Sequence, residues 1–281
     1  LSAGNQGVSI STMTKLYLAG AESWWPFFKD YPQARLLSYF PEIGKRPKDV
    51  PNPLFCDSGA FKIMTGKHKI TIEEYAAFLK KHKDEFDVYA TLDVLWDWEA
   101  TAKNQAYLEE QGLNPLPAFH IGSPFKVLKE MTRRYDYIAI GGIARERSMV
   151  KLQNFLNKVF TIARDSCKLH CFGRFSTRLL ETYPFYSADA TSWLDSRPGA
   201  GGGHVYFFKN GKFYCNNYKN PKHKLGRHLA DYWEQNKDGS LNRDVRGNKN
   251  YNRRFDQNIR SYLQYESYLQ KLWRERGIEW N

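Results

Sequence analysis

Short apolar runs rich in β-branched and aromatic residues recur along the chain, separated by segments whose apolar residues repeat at helical spacing. The runs fall at 15–18, 54–56, 88–92, 116–120, 137–140, 168–172, 185–188 and 204–208, and each reads as a strand. Helix starts lie between them. Thr71-Ile72-Glu73-Glu74 sets a capping hydroxyl ahead of two acids, and Ser123-Pro124 and Ser148 precede the apolar Phe125 and Met149. Eight strands alternating with helices predict a parallel α/β fold, and the count favours a (β/α)8 TIM barrel over residues 13–210. A doubly wound open sheet is the alternative, because one strand more or fewer changes the count.

Past the last of these runs the pattern changes. Segments 205–208 and 212–215 flank Asn210-Gly211, a pair suited to a type I′ hairpin turn. Residues 219–260 hold eleven Lys or Arg against five Asp or Glu, with Tyr232, Trp233, Tyr251 and Phe255 interleaved. An aromatic helix is expected over 255–273. Residues 211–281 therefore read as a basic, aromatic C-terminal subdomain laid against the barrel. At the other end, residues 1–12 lack the basic start and apolar stretch of a secretion signal. They read as a tag or disordered leader, with Met13 as the start.

Composition narrows the class. Of 281 residues, 42% are apolar and 16% aromatic, enough for a sizeable core and too many for general disorder. Lys and Arg exceed Asp and Glu by 42 − 30 = 12, and the pI is about 9.4, a balance suited to a polyanionic partner. No apolar run approaches the ~20 residues of a membrane-spanning helix, so no membrane partner is expected. Four scattered cysteines make no disulfide framework, which points to the cytoplasm, or the host cytoplasm for a phage-encoded chain.

In a barrel of this kind the active site lies at the C-terminal ends of the strands. There the sequence places Asp57, Asp93, His120-Ile121-Gly122, Gly141-Gly142-Ile143, His170-Cys171-Phe172-Gly173 and Asp189. Singly, Asp and Gly are ordinary strand-ending turn residues. Together, three carboxylates and three glycine-bearing turns on one rim suit work on a nucleotide. One carboxylate can attack an anomeric carbon, and a second can shuttle the proton of the leaving or entering base. Backbone N–H groups at Gly-Gly can approach a carbonyl oxygen closely.

The combination resembles the tRNA-guanine transglycosylases and, more closely in its variant motifs, the related DNA transglycosylases (the DpdA type of phages and bacteria) that insert 7-deazaguanines. The resemblance rests on Asp57-Ser58-Gly59-Ala60-Phe61-Lys62, on Gly141-Gly142-Ile143-Ala144, and on Leu92-Asp93, Phe172-Gly173 and Ser187-Ala188-Asp189-Ala190 in that order. It covers roughly residues 16–193. It implies that Asp189 is the nucleophile on C1′ of a guanine nucleotide and Asp57 the general acid/base. Asp93 would bind the amidine edge of the base, with Ser58, Gly59, Gly141, Gly142, Ile143 and Gly173 around it and Phe61 stacked on it. His120 and His170 join this substrate-binding set by position, without a firm family counterpart, and a structural role suits each equally.

The chain departs from the tRNA-type pattern in one respect. The Cys-x-Cys-x2-Cys zinc cluster is missing, with only Cys215 in that region, and Cys167, His170 and Cys171 lie along a strand and its edge. No metal and no cofactor are expected. In place of the zinc subdomain stands the basic tail, whose Arg243, Arg246, Lys249, Arg253 and Arg254 are candidate phosphate contacts. The bland alternative is a solvated helix packed through its aromatics. The reading is thus a DNA guanine transglycosylase using a base such as 7-cyano-7-deazaguanine, with a homodimer suggested by the family. Alternatives are tRNA modification or N-glycoside hydrolysis on the same barrel, and an inert nucleic-acid-binding barrel. A metal-dependent hydrolase is disfavoured by the lack of any His-x-His. Trp24-Trp25-Pro26 and Trp96-Asp97-Trp98 read as packing and loop anchors, the latter near enough to Asp93 to shape the rim. Arg145 and Arg147 suit a phosphate or the surface. Ala200-Gly201-Gly202-Gly203 lacks the Lys-Ser/Thr of a phosphate loop.

Overall fold

Eight short strands form one all-parallel sheet: β1 (Lys15–Ala19), β2 (Arg35–Ser38), β3 (Leu54–Asp57), β4 (Val88–Tyr89), β5 (Ala118–His120), β6 (Tyr137–Gly141), β7 (Lys168–Cys171) and β8 (Ser187–Ala190). The computed structural model describes residues 14–20, 31–32, 34–39, 54–60, 69–163, 166–194, 204–217 and 251–280. The strand order is β4-β3-β2-β1-β8-β7-β6-β5, so sequence neighbours pair from β1 to β4 and from β5 to β8, and β1 also pairs with β8, Tyr17 opposite Asp189. The sheet curls into a barrel-like α/β fold. At its two ends, Ala90 and Leu116 form an isolated parallel bridge, with Thr91 N donating to Leu116 O at 2.9 Å and Leu116 N to Tyr89 O at 2.7 Å.

Side-chain alternation divides the core. Leu16 and Leu18 of β1, Ile138 and Ile140 of β6 and Leu169 and Cys171 of β7 pack outward under the helices, in the largest apolar cluster. Tyr17, Ala19, Leu36, Phe55 and Ala139, from four strands, meet in a separate cluster on the inner face. There Tyr17 meets Phe55 edge-on, ring centroids 5.3 Å apart. Such two-sided burial explains why the strands read as nearly continuous apolar runs.

The helices are α1 (Ile72–His82), α2 (Trp98–Glu110), α3 (Phe125–Arg134), α4 (Met149–Ala163), α5 (Thr177–Thr182) and α6 (Tyr251–Glu275). Helix α1 opens on a capping box between Thr71 and Glu74 and ends in Lys80, Lys81 and His82, both complementing its dipole. Ser148 caps α4 through Lys151 N at 3.3 Å. At α3 the cap residue is Pro124 and no side chain caps the helix, contrary to the expectation for Ser123. Among the described residues, no helix is long and apolar enough to cross a membrane.

The strand at 204–208 is not the eighth of the sheet. It belongs to β9 (His204–Lys209), which pairs antiparallel with β10 (Lys212–Asn217) in a separate two-stranded sheet. The turn has Asn210 at φ 51° and Gly211 at φ 70°, as type I′ requires, and the expected boundary at 210 falls inside it. The eighth place goes to β2, four residues that open on Arg35 and close on Ser38. Arg35 is 1% exposed, and burial lowers its guanidinium to about 10. A charged residue inside so short a run hides its apolar pattern.

Helix α6 buries Phe255, Ile259, Tyr262, Tyr265, Leu269 and Trp273, spaced three or four apart as one stripe. The stripe joins the same apolar cluster as β1, β6 and β8. Polar ties fix its register: Asn258 Nδ2 donates to Trp193 O at 2.8 Å, Leu16 N to Glu266 Oε2 at 2.6 Å and Trp273 Nε1 to Leu180 O at 3.1 Å.

Candidate functional site

The alternation that fills the inner face also aims the reactive residues. Counting outward from Phe55, Ala139 and Tyr17, period two places Asp57, Gly141 and, across the β1–β8 pairing, Asp189 on the inner face. His120 and His170 follow by the same rule, since Phe119, Leu169 and Cys171 face the helices. All five stand at or near C-terminal strand ends, and Asp93 follows β4 on the same rim.

Asp57 ends β3, opposite Ser38 of β2. Ser38 Oγ donates to its Oδ2 at 3.0 Å, and Gly59 N lies 3.4 Å from the same atom. Burial first, then the negative charges of Asp93 and Asp189, push the Asp57 carboxyl up to about 7, while the two hydrogen bonds oppose the rise. Gly59 is glycine for a local reason. Its φ is +79°, and a Cβ would lie 2.2 Å from Tyr39 O.

Asp93 accepts from Ser58 Oγ at 3.0 Å through Oδ1, and its Oδ2 pairs with His120 Nε2 at 2.8 Å. The His120 ring lies across Gly141: a Cβ there would sit 2.4 Å from His120 Cδ2 and 2.7 Å from Nε2. A side chain at 141 would expel the ring, so the Gly-Gly turn serves the histidine as well as any ligand.

Asp189 accepts from Gly173 N at 2.6 Å through Oδ1. His170 Nε2 stands 3.5 Å from that oxygen, too far for a well-formed hydrogen bond, so the contact is chiefly electrostatic. His170 is anchored from its other side, Nδ1 lying 2.6 Å from Ser187 Oγ, which also meets Tyr137 OH at 2.5 Å. Burial pushes His170 below its usual value, while Asp189 pulls the other way. A cleft of about 390 Å³ opens at Asp189 between residues 173–176 and 191–192, within the range of small-ligand sites.

Several contributors were not singled out from sequence. Ser38 lies on the strand the pattern concealed. Arg174 donates to Ile143 O at 2.9 Å and Glu146 O at 2.7 Å, fixing the turn after Gly142. The Ile143 side chain is fully buried in the core, so its side chain faces away from the rim. Phe61, Arg243, Arg246 and Lys249 lie outside the described residues, as do residues 1–13, Trp24-Trp25-Pro26, Tyr232, Trp233 and 200–203. Arg253 and Arg254 stand in the first turn of α6, with their side chains outside the described set. None of the four cysteines is in a disulfide; Cys56, Cys167 and Cys171 are buried and Cys215 is exposed. Among the described residues no three His, Cys, Asp or Glu side chains are grouped to hold a metal ion. A second groove, about 790 Å³ between α3 and α4, is lined by Lys129, Arg133 and Lys158 on the helix layer and holds no acid-base pair.

No protein-family model matches the chain, and no curated protein matches it.

Proposed function

We propose that the chain is a transglycosylase that exchanges guanine in DNA for a 7-deazaguanine, on a closed (β/α)8 barrel. The Ala90–Leu116 bridge and the pairing of β1 with β8 support closure. The observation that carries the activity is the convergence of Asp57, Asp93 and Asp189, where burial first and then the two neighbouring charges push the Asp57 carboxyl up to about 7. A carboxyl poised near neutrality is the group needed to give and then take one proton.

With Oδ1 held by Gly173 N, the Oδ2 of Asp189 attacks C1′. The C1′–N bond breaks, its electron pair leaves with guanine, and Asp57 gives that base a proton. A covalent aspartyl-glycosyl ester remains. The incoming 7-deazaguanine loses a proton to Asp57, its ring nitrogen attacks C1′, and the ester opens to restore Asp189. Asp93 spends one lone pair on Ser58 and one on His120, leaving the others for the N–H donors of the base's amidine edge. The net charge of +12 favours a polyanionic substrate. The preference for DNA rests on the motif resemblance.

Incubation with end-labelled guanine-containing DNA, followed by denaturing electrophoresis, tests the ester directly. A protein–DNA adduct is expected from the wild type and none from Asp189→Ala. An equal adduct from Asp189→Ala would remove Asp189 as nucleophile.

A further inference from the structure

The segment after Asp93 carries a residue that the chemistry above leaves unused. Asp97 N donates to Val94 O at 3.0 Å, closing a four-residue turn over 94–97. Trp96 occupies its third position with φ 70°, while Leu95 before it does not have positive φ. A turn of that kind, type II, reserves the third position for glycine, because a side chain there is crowded by its own backbone. Trp96 is also 59% exposed, and Val94 beside it 38%; among the described residues, Val150 is the other large apolar side chain so exposed. Two unfavourable features thus coincide at one residue.

The turn is nonetheless held firmly. Thr101 Oγ1 accepts from Val94 N at 2.9 Å and stands 2.8 Å from Asp97 O, while Asn104 Nδ2 donates to Leu92 O at 2.7 Å. Asp97 caps α2 through Ala100 N at 2.9 Å. A strained backbone kept in place by its surroundings, three residues from a site carboxylate, points to a use for the side chain it displays. Trp98 shows the contrast: it faces the space between α2 and α3 beside Phe119.

We propose that Trp96 is a stacking platform for an unpaired nucleobase next to the reacting nucleotide, an inference resting on the nucleic-acid reading of the site. An enzyme working on a glycosidic bond must unstack its target, which leaves a neighbouring base face open. A rigidly presented indole covers such a face without sequence preference. Asp97 and Glu99 follow Trp96 closely, so the indole meets a base, and phosphates are held elsewhere on this basic chain.

Binding without turnover tests this, by fluorescence anisotropy of dye-labelled single-stranded oligonucleotides. Trp96→Gly suits the turn and should melt no lower than wild type, yet bind a mixed-sequence DNA strand on the order of ten-fold more weakly. Trp96→Phe should recover most of that loss. An abasic strand of equal length should bind wild type and Trp96→Gly alike. The RNA version of the strand shows whether the platform serves both polymers, and a matching loss there supports it equally. Undiminished binding by Trp96→Gly, or a loss that persists on the abasic strand, would overturn the proposal. The outcomes for the site are separable: a Trp96 effect on binding without a covalent adduct leaves this inference standing and removes the exchange reaction. An adduct with no Trp96 effect does the reverse.

Discussion

Asp57 is the residue whose protonation ties the proposed chemistry to stability. Its folded value, about 7, stands above the ~3.9 of an unfolded aspartate, so the folded state holds the proton more tightly. The resulting stabilisation is full below the unfolded value and is lost as pH rises through the folded one. Asp57→Asn keeps a neutral side chain able to accept from Ser38 Oγ, so it should melt above wild type at pH 8, with the gap narrowing toward pH 5 and closing below about pH 4. Thermal scans across that range check the sign; a gap that widens toward acid would place the Asp57 value below that of free aspartate. The carboxylates themselves were legible in sequence because they close apolar runs. Their supporters were less so. Ser38 and Arg174 act through geometry that no local pattern encodes, and His170, fully buried against Phe55 with ring centroids 4.8 Å apart, looks like core until Asp189 is seen beside it.

At the scale of elements, strand ends and turns do the positioning. Gly141 ends β6 and lets the His120 ring of β5 lie on it, which in turn braces Asp93 after β4. Gly141→Ala should move that ring and lengthen the 2.8 Å contact to Asp93. We expect a stability loss of about 1–3 kcal/mol from overpacking and a rise in KM for the base larger than the fall in kcat. Steady-state kinetics at varied base concentration read this split, and an unchanged KM would show that the His120–Asp93 pair does not bind the base. Seven of the eight sheet strands were visible because burial on both faces leaves plain apolar runs. The exception, β2, has Arg35 at its start and Ser38 at its end, so only Leu36 and Leu37 carry the signal. The apparent replacement, 204–208, has an equally apolar run, but the Asn210-Gly211 turn commits it to pairing with β10.

In the molecule as a whole, the sheet, the hairpin and α6 share polar ties and one apolar cluster, so the C-terminal helix is part of the scaffold that holds β1 and β8 together. Between β10 and α6, the basic segment supplies charge that its pattern announces and whose contacts no periodicity foretells. These features combine into one claim: a rim of three aspartates, on a basic chain, replaces guanine in a polynucleotide. The most direct test is base exchange. Purified protein is incubated with 7-cyano-7-deazaguanine and either duplex DNA or tRNA carrying labelled guanine, and the nucleosides are followed by mass spectrometry. The account predicts deazaguanine in DNA with release of labelled guanine, and neither with Asp189→Ala. Exchange confined to tRNA would contradict the choice of polymer, and retention of all labelled guanine in both polymers would contradict the reaction itself.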